Sequence, residues 1–137
     1  MYKPLHFRIE ELVSRTIYNQ YKDKAWAFFD KKLLVTIDQL REFFDVPLII
    51  NDWAFSGSRE FCGYRSRGCM VGAENSQHRM GRAADIICET IDAQEMRLKI
   101  IEKSVLFPHI TYMEDKTAWV HIDVRQSEFK EIKLFKP

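Results

Sequence analysis

An α+β fold, with helices first and a small antiparallel sheet after them, follows from three features of the sequence. Apolar residues in the first third recur at helical spacing. Short runs with strand character, ADII, HITYME and WVHIDV, gather in the second half. Between them lies a glycine-rich stretch with little periodicity. Segregated in this way, the N-terminal helices are expected to pack on one face of the sheet. At 137 residues the chain is long enough for a real core, and it reads as a single domain over 1–137.

The elements follow in order. IEELVSRTIYNQY, 9–21, reads as a short helix, and Trp26, Phe28 and Phe29 read as core aromatics. From Asp30 onward, Leu33, Ile37, Leu40 and Phe44 fall at spacings of four, three and four, which is one face of a helix. Pro47 stops it. PLIIND, 47–52, is a strand candidate. Residues 53–76 hold four of the five glycines and read as a long loop, and such a loop in a compact domain is usually functional. Asp92, with Glu95 three residues later, marks the start of a helix over DAQEMRLKIIEKS. HITYME, 109–114, and WVHIDV, 119–124, read as strands, and EIKLF in the tail offers an edge strand.

Composition excludes several function classes. With 21 basic and 20 acidic residues the net charge is +1, so nothing favours nucleic acid or an anionic membrane as partner. No apolar run approaches the about 18 residues of a membrane span. The start, MYKPLHFRIEELV, lacks the apolar core of a signal peptide, so synthesis in the cytoplasm is expected, with any export by another route. Cys62, Cys69 and Cys88 are odd in number and argue against a disulfide framework. They read as buried or partly exposed thiols, with a Cys62–Cys69 pair or shared metal as the alternative.

The chemistry gathers at two places. In WVHIDV, side chains alternate, so Val120, Ile122 and Val124 face one way and Trp119, His121 and Asp123 the other. One face is core, and the other presents an imidazole beside a carboxylate, which an antiparallel sheet can leave open to a ligand. In SQHRMGRAADII, His78 and Asp85 stand seven positions apart. Gly81, Ala83 and Ala84 are small enough to let the backbone pass close to a bound ion. His78, Asp85 and His121 are thus a candidate metal triad. Two imidazoles and a carboxylate suit Zn²⁺ and leave an open position, the arrangement that activates water for hydrolysis. Taken singly, each histidine fits a satisfied structural role as well.

The string SQHRMGRAAD resembles the SxHxxGxAxD motif of the zinc D-Ala-D-Ala carboxypeptidase family. That family includes phage L-alanyl-D-glutamate endolysins and shares its fold with the Hedgehog signalling domain. WVHID is similar to the strand that supplies the family's last ligand, and CGYR is similar to its SGYR. The likeness runs in the family's order from about residue 60 to 124, and DKKLLVTIDQLREFFDVPLIIND resembles the lead-in of small phage-type members. The resemblance implies that His78, Asp85 and His121 hold one Zn²⁺ per chain. It implies that Arg65 binds a substrate carboxylate or polarises the scissile carbonyl. The implied activity is hydrolysis of an amide bond in peptidoglycan stem peptides, as a carboxypeptidase or endopeptidase of phage or prophage type, reaching the wall by another route. The chain is expected to be a monomer.

Two positions depart from the family pattern. Many members carry a carboxylate three positions before the last histidine, where this chain has Ala118. The Hedgehog-like branch holds its acid about six positions before it, and here Glu114 and Asp115 stand at minus seven and minus six. Glu114 continues the face of Ile110 and Tyr112 and is taken as general base and later acid, with Asp115 second. Both also fit solvated turn acids before Lys116. Cys62 stands where the family usually has serine. Asp123 reads as an acceptor orienting His121 or as a partner of a nearby arginine. Ser76 reads as a brace for the loop bearing His78, Trp119 as cleft lining or packing, and His109 as a surface residue. Ala118 motivates an alternative, a catalytically inactive metal-bound module that recognises peptidoglycan or protein. A metal-dependent phosphodiesterase is disfavoured by the near-neutral charge.

Overall fold

Ser14 divides the first helical segment. In the computed structural model, which describes residues 1–137, Ile9–Glu11 is a 3-10 turn and α1 spans Arg15–Tyr21. Ser14 Oγ accepts the Ile17 N–H and caps α1, so the chain restarts where one helix had been expected. A 3-10 stretch, Lys22–Phe28, carries Trp26 into the core, and Phe28 stacks on Tyr64. Asp30 caps α2, Lys31–Phe44, by accepting the Lys32 N–H. The predicted face of Leu33, Ile37, Leu40 and Phe44 is buried. Burying each such side chain is worth about 1.5–3 kcal/mol. The helix ends at Asp45 in the left-handed region, ahead of Pro47.

PLIIND does not form the expected strand. It makes a single antiparallel bridge, Ile49 to Ile87. Beyond it the polar groups are drawn elsewhere. Asn51 N–H donates to Glu11 O, its side chain joins Val13 O to Cys62 N–H, and Asp52 N–H donates to Arg59 O. No ladder can continue past those bonds.

The sheet comprises β1 (Ala83–Ile86), β2 (Tyr112–Glu114), β3 (Val120–Asp123) and β4 (Lys133–Phe135) in the order β1-β3-β2-β4. β1 and β2 both pair antiparallel with β3. β4 pairs parallel with β2, so the sheet is mixed and not purely antiparallel. The connection explains this. Asp123 at the end of β3 lies opposite Tyr112 at the start of β2, and residues 124–132 carry the chain past that same end to Lys133, also opposite Tyr112. β4 therefore starts where β3 finishes and runs with β2. α3, Ala93–Glu102, is capped by Asp92, whose Oδ1 accepts the Glu95 N–H.

The sheet divides the molecule. Ala84, Ile86, Met113, Val120 and Ile122 join the helical apolar residues in one hydrophobic cluster. The alternate residues of the same strands face the other way and build the site. No helix is long and apolar enough to cross a membrane.

Candidate metal centre

Strand register brings the first two groups together. Asp85 on β1 pairs directly with His121 on β3, and Ala83 pairs with Asp123. Side chains of directly opposed residues stand on one face within contact distance. His78 arrives from the other side, on a 3-10 turn over Gln77–Met80. Ser76 Oγ accepts the His78 N–H at 3.2 Å and caps that turn. Gly81 closes the turn at φ 67°, and a Cβ there would collide with the Phe28 carbonyl oxygen. Glycine therefore permits the reversal that feeds β1 back toward His78.

The glycine-rich loop forms the third wall. Gly63 runs so close to the Leu12 carbonyl that no side chain fits between them. Tyr64 N–H donates to Leu12 O, Asp85 N–H to Cys62 O and Arg65 N–H to His78 O. These bonds stitch residues 62–65 between the N-terminal segment and the site.

Hydrogen bonding fixes the imidazoles. His78 Nδ1 lies 2.8 Å from Gly63 O. A carbonyl only accepts, so Nδ1 donates to it, and Nε2 is the nitrogen turned toward Asp85 Oδ1 at 3.2 Å. His121 Nε2 donates to Asp123 Oδ2 at 3.0 Å, leaving Nδ1 facing the same Asp85 Oδ1 at 2.9 Å. One ligand atom from each of His78, Asp85 and His121 thus lies within 4.8 Å of the others, all three residues buried.

The electrostatics ask for positive charge between them. Burial raises the Asp85 pKa, yet hydrogen bonds from His121 and His78 outweigh it and hold the carboxyl below the usual range. Burial disfavours the His121 imidazolium, but the bonds to Asp123 and Asp85 prevail and push it up to about 9. The site thus favours a cation at this point, and both histidines already spend their other nitrogen on an outside acceptor. The donor set fits a metal.

The remaining groups surround this centre in a cleft of about 600 Å³. Glu114 lines it, with Oε2 4.0 Å from His121 Nδ1. Arg65 also lines it, but Nη2 lies 3.3 Å from Asp85 Oδ2 and Nε donates to Phe61 O at 2.7 Å. Trp119, partly exposed, stands at its edge. Asp115 turns away from the cleft, with Oδ1 3.9 Å from Arg97 Nε on α3. Cys62, Cys69 and Cys88 are unpaired thiols.

Asp123 accepts from His121 and from Arg125. Arg125 is the residue the sequence reading missed. Its signal was available, since Asp123 and Arg125 stand two apart and alternation places them on one side.

A family profile described as Peptidase M15 matches residues 5–123. No curated protein and no solved structure matches the chain.

Proposed function

The chain belongs to the Peptidase M15 family, and we propose from that premise that it is a zinc peptidase hydrolysing an amide bond in peptidoglycan stem peptides. The observation that carries the reading is the convergence of His78, Asp85 and His121 in one cleft with Glu114 beside them. Two imidazoles and one carboxylate favour Zn²⁺ over the harder oxygen-seeking cations. Zinc, when bound, supplies Lewis acidity and an activated water as nucleophile.

The chain's own groups do the rest. Glu114 takes the proton from the attacking water and later delivers it to the leaving amine. Arg65 lies beside the metal ligand Asp85 and stabilises the negative charge that grows on the carbonyl oxygen. Asp123 holds the Nε2 proton of His121, and Gly63 O holds the Nδ1 proton of His78, so each ring keeps its ligating nitrogen free. Asp115, paired toward Arg97, serves the turn between β2 and β3 and is not the base. In this reading the enzyme acts on the cell wall, as phage-type lysis enzymes do.

The test starts with metal content in protein purified without added metal. About one zinc per chain, lost in His78→Ala, is expected. New amine ends should then appear when zinc-loaded protein meets purified peptidoglycan, and chelation should stop their release. Ala118, standing where many relatives have an acid, favours one second reading: a zinc-bound recognition module. Zinc retained and peptidoglycan bound without any cleavage would select that reading.

A further inference from the structure

We propose that Arg125 is the cleft's receptor for a substrate carboxylate, a role distinct from that of Arg65. This inference rests on the peptidase reading above. Arg125 lies beyond the span matched to the family, which ends at residue 123. It nevertheless lines the same cleft as His78, Asp85, Glu114 and His121.

Its guanidinium is held rigid. Nε donates to Asp123 Oδ1 at 2.8 Å and Nη2 to Asp123 Oδ2 at 2.6 Å, a two-point contact with a fully buried carboxylate. The group lies 4.2 Å from the ring centroid of Tyr112 and 5.6 Å from that of Phe135. Thr111 Oγ1 donates to Arg125 O at 2.6 Å and anchors the backbone. An arginine so fixed loses little freedom when it binds, which is the condition for a strong anion contact.

It also keeps a free edge. Nη1 makes no hydrogen bond within the protein, and the side chain is 33% exposed. Arg65 also has Nε and Nη2 engaged, but it is more enclosed, with its side chain only 10% exposed. Formal charge points the same way. Asp85, Asp123 and Glu114 set against Arg65 and Arg125 leave one negative charge, which a divalent cation turns into one positive charge. The loaded cleft is therefore matched to a ligand with one carboxylate.

In a lysine-type stem peptide that carboxylate is either the C-terminus or the α-carboxylate of γ-linked D-glutamate. The experiment uses zinc-loaded Glu114→Gln protein, so that binding is read without turnover. Titration calorimetry compares L-Ala-γ-D-Glu-L-Lys-D-Ala-D-Ala with the same peptide amidated at the C-terminus, at D-glutamate, or at both. One single amide should weaken binding about tenfold, and its identity names the carboxylate. Adding Arg125→Gln should remove that difference while the doubly amidated peptide binds as before. Discrimination unchanged in the Arg125→Gln protein would overturn the inference.

Zinc content is measured in every variant, because Arg125 also supports Asp123. A second measurement needs no substitution at Arg125. The ¹⁵N-detected Nε–H signal of Arg125 should shift with N-acetyl-D-alanine and stay still with its amide. If the stem peptides do not bind but this signal responds, the peptidoglycan reading fails and the carboxylate receptor stands. If neither probe acts through Arg125, the receptor is wrong whatever the substrate.

Discussion

Asp85 and His121 face each other across β1 and β3, with one carboxylate oxygen 2.9 Å from Nδ1 of the imidazole. That oxygen also lies 3.2 Å from Nε2 of His78. A single atom therefore ties a β-ladder to a turn, and the candidate metal site inherits the rigidity of the sheet. Asp85→Asn keeps the shape and removes the charge. Zinc affinity should fall at least about a hundredfold, read by competition with a chromogenic chelator. Zinc in large excess should also raise the unfolding midpoint of the parent, by about 2.7 kcal/mol of stability at a hundredfold over Kd. That rise should vanish in the variant; an unchanged rise would remove Asp85 from the ligand set.

Gly63 couples packing to ligation. A Cβ there meets the Leu12 carbonyl, and Gly63 O is the acceptor that fixes the His78 tautomer. Gly63→Ala should cost about 1–3 kcal/mol in urea unfolding and weaken zinc binding about tenfold. Lost stability with zinc affinity intact would mean that the His78 tautomer does not depend on this carbonyl.

The two neighbouring acids are separated by direction. Glu114 faces the cleft and Asp115 faces Arg97. Glu114→Gln should retain zinc and lower kcat by roughly 10²–10⁴. Asp115→Ala should leave kcat near the parent value. Equal losses in the two variants would overturn the assignment of the base.

Alkaline stability should report on a site far from the metal. Tyr2 donates to Asp38 Oδ2 at 2.7 Å, and Asp38 also accepts from the N–H groups of Leu5 and His6. Burial, and then the bond to Asp38, push the Tyr2 hydroxyl up to about 12. An unfolded tyrosine titrates near about 10. Between the two values the folded chain holds the proton more tightly, so this contribution is whole below about pH 10 and is lost as pH rises through about 12. Denaturant midpoints measured across that window should fall more steeply in the parent than in Tyr2→Phe. Parallel slopes would show that the Tyr2–Asp38 bond does not carry the effect.

What local pattern encodes was legible in the chain. The burial of Leu33, Ile37, Leu40 and Phe44 follows from their spacing, and the split of β3 into a core side and a site side follows from alternation. Asp92 capped the helix it was expected to cap. What depends on distant partners was not legible. The pairing of Asp85 with His121 is a matter of register between strands 36 positions apart in sequence. The parallel entry of β4 depends on which sheet edge remains free. The break at Ser14 had a local signal, a good capping residue ahead of α1, but the apolar pattern on both sides masked it. Arg125 has a local signal in its spacing from Asp123, but its place beside Tyr112 and Phe135 depends on two other strands.

Phe135 and Pro137 line the same cleft as His78, and they lie beyond the stretch shared with the family. The candidate metal ligands thus lie within that stretch, while part of the cleft's lining comes from the residues that follow it. Natural variation or deliberate grafting after residue 123 can retune which ligand is accepted while the inherited chemistry stays in place. A purification tag fused behind Pro137 would crowd the mouth of the cleft, so assays of selectivity call for a tag at the other end.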